Sequence, residues 1–491
     1  MLGGPGWTAS DVKQFLKSDF YVTPCGAVPK GDDPHGRIIH DYSYAPRDTD
    51  SLNSCLLNTS VTYISFIERA RKLAPFSWYF AVDLENGYRQ LPVHPSDWHT
   101  QIYSLGPEEY YIDICMPFGK SNSSKIFCFW VQNWCKAFRH HFQKRVNYKF
   151  ALESYVDDIF GGASTYDQTL QLKNEIIATG QATTARVNKS KCHGPSQKLK
   201  ILGMMYDAVE KRCTLPQPTI EKYISRISSI LEASSATSKN FEKLIGNLVW
   251  ASYVEPWGRP FLSAIGCLVT RAAPSARHRL RRYTRMALII WLHILRTSAG
   301  VSFQWILGAL PRAQNAWFVD ASTSWGIGGC AGSTYFMLPN NHLTCLFALY
   351  HSGTHRHLMG IPQPRLPIAY IELIAVLVGF SVFAETYNNH LVTVYSDNSD
   401  VVSWLRKGRC RAGIGFKLLA AIEFFKRTHN LKISARHIPG KQNVSADILS
   451  RGTIPVWLRK DGCRQPVDIL HLYNLISEPL QFWTKLWGFV I

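Results

Sequence analysis

Short apolar runs that end in a carboxylate recur along the chain. WYFAVDL (78–84) and SYVDDIF (154–160) have the length and composition of strands, whereas SSKIFCFWVQNWCKAFRHHF (123–142) is apolar over a helical length and predicts a buried helix. Residues 20–210 thus mix short strands with helices. From 215 to 265 the spacing becomes helical, in IEKYISRISSILEA and again in FEKLIGNLVWASYV. After GALPRAQN (308–315) the pattern changes. AWFVDAS (316–322) and LVTVYSD (391–397) predict strands and YIELIAVLVGFSVFAETY (370–387) a long helix, an alternation that predicts a separate α/β domain beyond 314. There is no internal repeat and no low-complexity tract, and the last forty residues, rich in Trp and Leu, carry no readable chemistry.

At 491 residues the chain has room for more than one domain and for sizeable cores. Its 46% hydrophobic and 18% charged residues are ordinary for a soluble globular protein. Its charge is not ordinary: 54 Lys and Arg against 35 Asp and Glu give a net +19 and a pI of about 9.4. Such a surplus points to a polyanionic partner, nucleic acid first, with a membrane surface as the competing reading. No apolar run is long enough to span a bilayer; MALIIWLHIL (286–295) is short and predicts a buried helix. The opening MLGGPGWTAS has no signal-peptide pattern, and twelve scattered cysteines include no Cys-x-x-Cys pair. Reduced, mostly buried thiols in the cytoplasm or nucleus are expected.

ESYVDDIFGG (153–162) sets Asp157 and Asp158 side by side between strand-forming residues. A turn accounts for such a pair, and so does a metal site at the tip of a hairpin. In YFAVDLENGYRQLPVHP (79–95), Asp83 closes another apolar run. If the two strands are neighbours in one sheet, three carboxylates meet at one edge. Hard divalent cations take that donor set and keep positions open for phosphates. Two such ions serve phosphoryl transfer, and repulsion between the acids makes a purely structural role costly.

The order Lys30, Arg37 and Asp41, then Asp83 and Tyr88, then MPFG (116–119), YVDD (155–158) and KCHG…ILG (191–203) resembles the reverse transcriptases of retroelements over roughly residues 20–265. The resemblance implies that Asp83, Asp157 and Asp158 bind two Mg²⁺ ions, or Mn²⁺, with Val156 as backbone support. It further implies that Lys30 and Arg37 grip the incoming triphosphate and that Tyr88 lies under the sugar and rejects a ribose 2′-hydroxyl. Gly119 would let the template–nucleotide pair approach closely. Phe118 stands where retroviral enzymes usually carry Gln, as it does in gypsy-like retrotransposons, and Lys120, Ser124 and Lys125 are less usual. A basic residue before IF, and GNLVWASYVEPWGRPFL (246–262), are nearer to tyrosine-recombinase (DIRS-like) elements. These departures spare the carboxylates and bear on template handling.

A second set follows. WFVDASTSWGIGG places Asp320 at a strand end before a glycine-rich segment that reads as a hairpin rather than a nucleotide loop. Glu372 interrupts an otherwise apolar helix, where a charge is rarely buried without a partner. Asp397 ends another strand, and RHIPGKQNVSADILSR supplies His437 and, in a short helix, Asp447. Each alone reads as a cap, turn or surface acid. In this order they resemble the ribonuclease H domain of retroelements, which implies that Asp320, Glu372, Asp397 and Asp447 hold two Mg²⁺ ions and that His437 assists product release or proton transfer. Cys345, His351, His355 and His357 match no strong zinc spacing and are read as a surface loop. The arginines of RAAPSARHRLRRYTR (271–285) are read as phosphate contacts over a solvated helix face.

The fold expected is α/β and multidomain. Reverse transcriptase fingers and palm span 1–210, a helical thumb 211–270, a basic connector 271–313, a ribonuclease H-like domain 314–452 and a C-terminal extension 453–491. The expected function is DNA synthesis on RNA and DNA templates with cleavage of RNA in RNA–DNA hybrids, both of which rest on positioning and metal. Its partners would be RNA template, DNA primer, hybrid and deoxynucleoside triphosphates, with no membrane and with other parts of a retroelement polyprotein as further candidates. The alternative is a catalytically silent relic that binds nucleic acid.

Overall fold

The computed structural model describes residues 2–30, 33–45, 49–56, 60–183, 185–268, 273–340, 367–410 and 414–459, with the side chains of 2–5, 29, 30, 33–37 and 414 excepted. Cys345, His351, His355, His357 and the extension from 460 onward lie outside the described residues. The chain divides into two compact units, Met1–Lys211 and Arg212–Ile491.

In the first unit four antiparallel strands form a sheet in the order Phe150–Tyr155, Asp158–Ala163, Trp78–Leu84, Val187–Ser196. Helix Ser123–Gln143 buries Phe127, Val131, Cys135, Phe138 and Phe142, a three-to-four spacing that makes one apolar stripe. The stripe packs on Phe80, Val82 and Leu84 together with Leu172 and Ile176 of helix Tyr166–Ala182. Thr165 caps that second helix by accepting from the Gln168 N–H. SYVDDIF, expected as one strand, is two strand ends and a turn. Tyr155 pairs with Asp158, and Val156 between them has φ +54°. A two-residue hairpin loop needs such a left-handed residue, and a β-branched side chain adopts it only at a cost of about 1–3 kcal/mol. Beside this sheet are the hairpin Cys25–Lys30/Asp33–His40 and a three-stranded sheet of Leu2–Pro5, Glu109–Ile112 and Ile102–Gly106.

The second unit begins with helices Gln217–Ala233, Ser238–Ala251, Arg259–Gly266 and Arg282–Arg296. MALIIWLHIL lies in the last of these, with Trp291 fully buried. A five-stranded sheet follows in the order Thr334–Pro339, Gly326–Ala331, Trp317–Ala321, Leu391–Ser396, Lys432–His437; the first three are antiparallel and the last two join in parallel. Helices Ile368–Phe383 and Ile414–Thr428 share one core with this sheet. Ile368–Phe383 is buried without a break from Glu372 to Phe380, which explains its near-continuous apolar sequence. Helix Val444–Ser450 places Leu449 against Cys330 and Tyr335. Among the described residues no helix is long and apolar enough to cross a membrane. The described cysteines are all free; Cys128, Cys135, Cys213, Cys330 and Cys410 are buried, and Cys55 and Cys267 are exposed.

The glycines of WGIGG lie inside strand Gly326–Ala331 rather than in its turn. At Gly328 a Cβ would stand 2.5 Å from both Leu449 Cβ and Ser450 N, so the close approach of helix Val444–Ser450 sets the residue type. Gly328→Ala should therefore overpack this contact and destabilise the protein by about 1–3 kcal/mol, read as a lower thermal midpoint. A midpoint equal to wild type would mean that the helix does not sit so closely on the strand.

Candidate active sites

Antiparallel pairing puts the first carboxylates together. Asp83 is the register partner of Asp158, and Asn188 faces Asp83 from the other neighbouring strand. The turn is tied to the neighbouring strand, where the Leu84 N–H donates to the Asp157 carbonyl at 2.9 Å. Lys191, whose position the KCHG motif marks without giving it a role, holds Nζ 3.0 Å from Asp83 Oδ2. Burial raises the Asp158 carboxyl to about 6, helped by the charges of Asp157 and Asp83 and opposed by Lys191.

These groups open onto a cavity of about 590 Å³ that Asp83, Asp157, Tyr88, Phe118 and Lys191 line. Tyr88 follows Asp83 on the short turn Gly87–Gln90, and its ring centroid lies 4.9 Å from Phe118 and 5.1 Å from Phe127. Gly119 has φ +106°, and a Cβ there would stand 1.9 Å from the His40 carbonyl oxygen. The close approach that requires this glycine is thus to His40. Lys30 and Arg37 belong to the paired strands of the hairpin, opposite Asp33 and Val28, but their side chains lie outside the described residues. Lys120 is turned inward, donating to Thr100 Oγ1 at 3.3 Å with its ammonium 5.7 Å from the Tyr42 ring centre, whereas Lys125 is exposed.

The second set gathers on the five-stranded sheet. Asp320 is in strand Trp317–Ala321, Asp397 follows the parallel neighbour Leu391–Ser396, and Asp447 is in helix Val444–Ser450. Glu372 is 5% exposed; its carboxylate accepts from Ser396 Oγ at 2.8 Å and Asn398 Nδ2 at 3.2 Å. Burial raises Glu372 to about 7, with Asp397 and Asp320 adding to the shift and the two donors opposing it. Asp320 accepts from Ser450 Oγ at 2.7 Å. Burial lifts it to about 6 against that bond, and Asp397 and Asp447 raise it further. Arg451 donates twice to Asp447 Oδ1, at 2.9 and 2.8 Å. His437 donates from Nε2 to the Asp397 carbonyl at 3.0 Å, so backbone rather than a carboxylate orients the ring.

Both groups offer hard oxygen donors whose charged forms disfavour one another, which fits a divalent cation. Among the described residues, no three His, Cys, Asp or Glu side chains are arranged to enclose an ion as they stand. Sequence reasoning passed over Asp113, Arg89 and His40, which share the first cavity. The one trace of them was an acid directly after the strand EYYI.

Residues 32–206 match the family model described as "Reverse transcriptase (RNA-dependent DNA polymerase)". A comparison with curated proteins finds no match. Among solved structures, the chain is similar to the foamy viral protease-reverse transcriptase dRH in complex with double-stranded DNA, at 14% identity and a TM-score of 0.50, over 87% of this chain and 67% of that one. The foamy viral protease-reverse transcriptase in complex with double-stranded DNA gives 14% identity and a TM-score of 0.48 over 88% and 83%. The first likeness supports the fold: a reverse transcriptase polymerase arrangement with a further α/β region after it.

The three raised carboxyls bind protons more tightly folded than unfolded. Their contribution to stability is therefore present at acid pH and lost as pH rises from about 4 toward 6 or 7. Glu372→Gln removes one of them. Its thermal midpoint relative to wild type, measured in chelator, should rise between pH 5 and pH 7.5, over the range set by the folded and unfolded carboxyl. A difference that does not change with pH would contradict the burial of an ionisable Glu372.

Proposed function

We propose that this chain, whose residues 32–206 form a reverse transcriptase domain, makes DNA on RNA and DNA templates and cleaves RNA in RNA–DNA hybrids at a second site. The observation that carries the reading is the register of Asp83 against Asp158, with Asp157 and Tyr88 opening on one cavity. Asp83, Asp157 and Asp158 would hold two Mg²⁺ ions, or Mn²⁺, and Asp320, Glu372, Asp397 and Asp447 another two. Bound ions would supply charge neutralisation at phosphate and an activated oxygen nucleophile.

The protein's own part is positioning. The Tyr88 ring, wedged between Phe118 and Phe127, is a rigid wall against which a sugar 2′-hydroxyl would clash. Lys191 offsets part of the Asp83 charge at the cavity wall. In the second site Ser396 and Asn398 fix the Glu372 carboxylate, and Ser450 fixes that of Asp320. His437, oriented by the Asp397 carbonyl, would serve product release or proton transfer. Lys30 and Arg37 are proposed triphosphate ligands, and Gly119 is proposed to let the template–nucleotide pair approach closely.

Nucleic acid is the partner that the charge favours. Arg277, Arg279, Arg281 and Arg282 are exposed and form no ion pair among the described residues. Arg281 and Arg282 start helix Arg282–Arg296, where like charge opposes the helix dipole, so the cluster is better explained by phosphate contacts than by folding. The foamy viral structure with double-stranded DNA agrees with such a partner. The basic residue before IF and the 246–262 segment favour a DIRS-like origin, and Phe118 agrees with gypsy-like elements as the next candidate, for a protein working in the cytoplasm or nucleus beside other parts of a polyprotein.

Asp157→Asn or Asp158→Asn should abolish primer extension while hybrid affinity stays within several-fold, because phosphate contacts dominate affinity. Near wild-type extension by the double variant would sink the assignment. Asp397→Asn should stop cleavage of a labelled hybrid by orders of magnitude yet leave DNA-templated synthesis intact. Loss of both activities in a folded variant would refute two separate sites.

A further inference from the structure

We propose that Asp113 is a positioning residue that shapes the cavity around Tyr88 and thereby sets which sugar the cavity accepts. The inference rests on reading the first site as a nucleotide-polymerising site. Asp113 is 2% exposed and lies directly after strand Glu109–Ile112. Its Oδ2 pairs with Arg89 NH1 and stands 3.5 Å from His40 Nε2. Its Oδ1 accepts the Cys115 N–H at 3.2 Å, and its own N–H donates to the Gln101 carbonyl at 2.9 Å. The carboxylate is thus held by the backbone two residues further on, while Arg89 and His40 come from two other segments. Asp113, Arg89 and His40 all line the cavity that holds Asp83 and Asp157.

Two routes lead from this carboxylate to Tyr88. The first is the chain itself, because Arg89 follows Tyr88 on the turn Gly87–Gln90 and pairing of its guanidinium holds that turn. The second runs through His40. The His40 backbone N–H donates to the Phe118 carbonyl at 3.2 Å, and the Phe118 ring packs against Tyr88. His40 also closes strand Asp33–His40, which carries Arg37. Its ring stacks edge-on against Tyr103 at 5.0 Å, and its Nδ1 is buried without a hydrogen-bond partner. The Asp113 contact is therefore the polar interaction that orients the ring. One carboxylate ties the strand bearing a proposed triphosphate ligand to the turn bearing the proposed sugar gate.

A buried ion pair is a poor device for stability, since apolar replacements of the whole pair are often neutral; removal of one partner is what disrupts. Without Asp113 the Arg89 guanidinium, already 32% exposed, would be free to turn toward the Asp83 and Asp157 carboxylates. The turn under Tyr88 would then lose its fixed geometry.

The test uses the full chain as wild type, Asp113→Asn, Arg89→Gln and the double variant. The primer ends in a dideoxynucleotide, so that no chemistry is needed, and the affinities of the next deoxyribonucleoside and ribonucleoside triphosphates are compared with Mg²⁺ present. Each single variant should lose about tenfold in sugar discrimination, the change that ~1.4 kcal/mol of differential binding makes. The double variant, with no charge left unpaired, should recover most of it. Competition between deoxyribonucleotides and ribonucleotides in primer extension should show the same order of sugar discrimination. Should Asp113→Asn fail to fold by thermal melting, Arg89→Gln and the double variant decide. Unchanged discrimination in the single variants, or equal weakening of both triphosphates, would overturn the role of Asp113 alone. A wild type that binds neither triphosphate would overturn the polymerising site as well.

Discussion

Everything at the first site depends on one pairing, the antiparallel register of Trp78–Leu84 with Asp158–Ala163. The register sets Asp83 against Asp158, and the hairpin turn adds Asp157 next to it. Burial raises the Asp158 carboxyl to about 6, and the charges of Asp157 and Asp83 add to the shift. The fold holds the arrangement because its cost is met elsewhere, by the apolar face that Phe80, Val82 and Leu84 present to helix Ser123–Gln143. A slip of one residue would turn those side chains outward, so the core that stabilises the sheet also fixes the acids.

The second unit solves the same problem with another topology. Strand Leu391–Ser396 runs parallel to Trp317–Ala321, and the helices that cover the sheet bring in Glu372 and Asp447. Glu372 tolerates burial because Ser396 and Asn398 supply hydrogen bonds. Gly328 lets helix Val444–Ser450 come close enough for Ser450 to reach Asp320. Here the fine placement of the acids comes from neighbouring polar side chains more than from strand register.

Much of this was legible in the sequence, for local reasons. Apolar period and strand composition marked Trp78–Leu84, the helix Ser123–Gln143, the helices Gln217–Ala233 and Ser238–Ala251, the strand that holds Asp320 and the strand that Asp397 follows. Acids at the ends of apolar runs marked the sites. What stayed hidden depends on contacts remote in sequence or on backbone conformation. The left-handed Val156 turns one expected strand into a hairpin, and the glycines of WGIGG lie within a strand, where Gly328 makes room for a helix distant in sequence. Lys120 stood out in the sequence only as an unusual residue after MPFG, and nothing local showed that it folds back over Tyr42. The pairing of Asp113 with Arg89 and His40 joins three segments, and no local spacing announces it.

The most direct test of the central claim is templated nucleotide choice by the wild-type chain. A primer annealed to an RNA template is offered each deoxynucleoside triphosphate singly, with and without Mg²⁺. The complementary nucleotide alone should be added, only with the divalent ion present, and the added base should change when the template base is changed. Addition that ignores the template, or no addition by folded protein that binds the primer–template, would contradict the account.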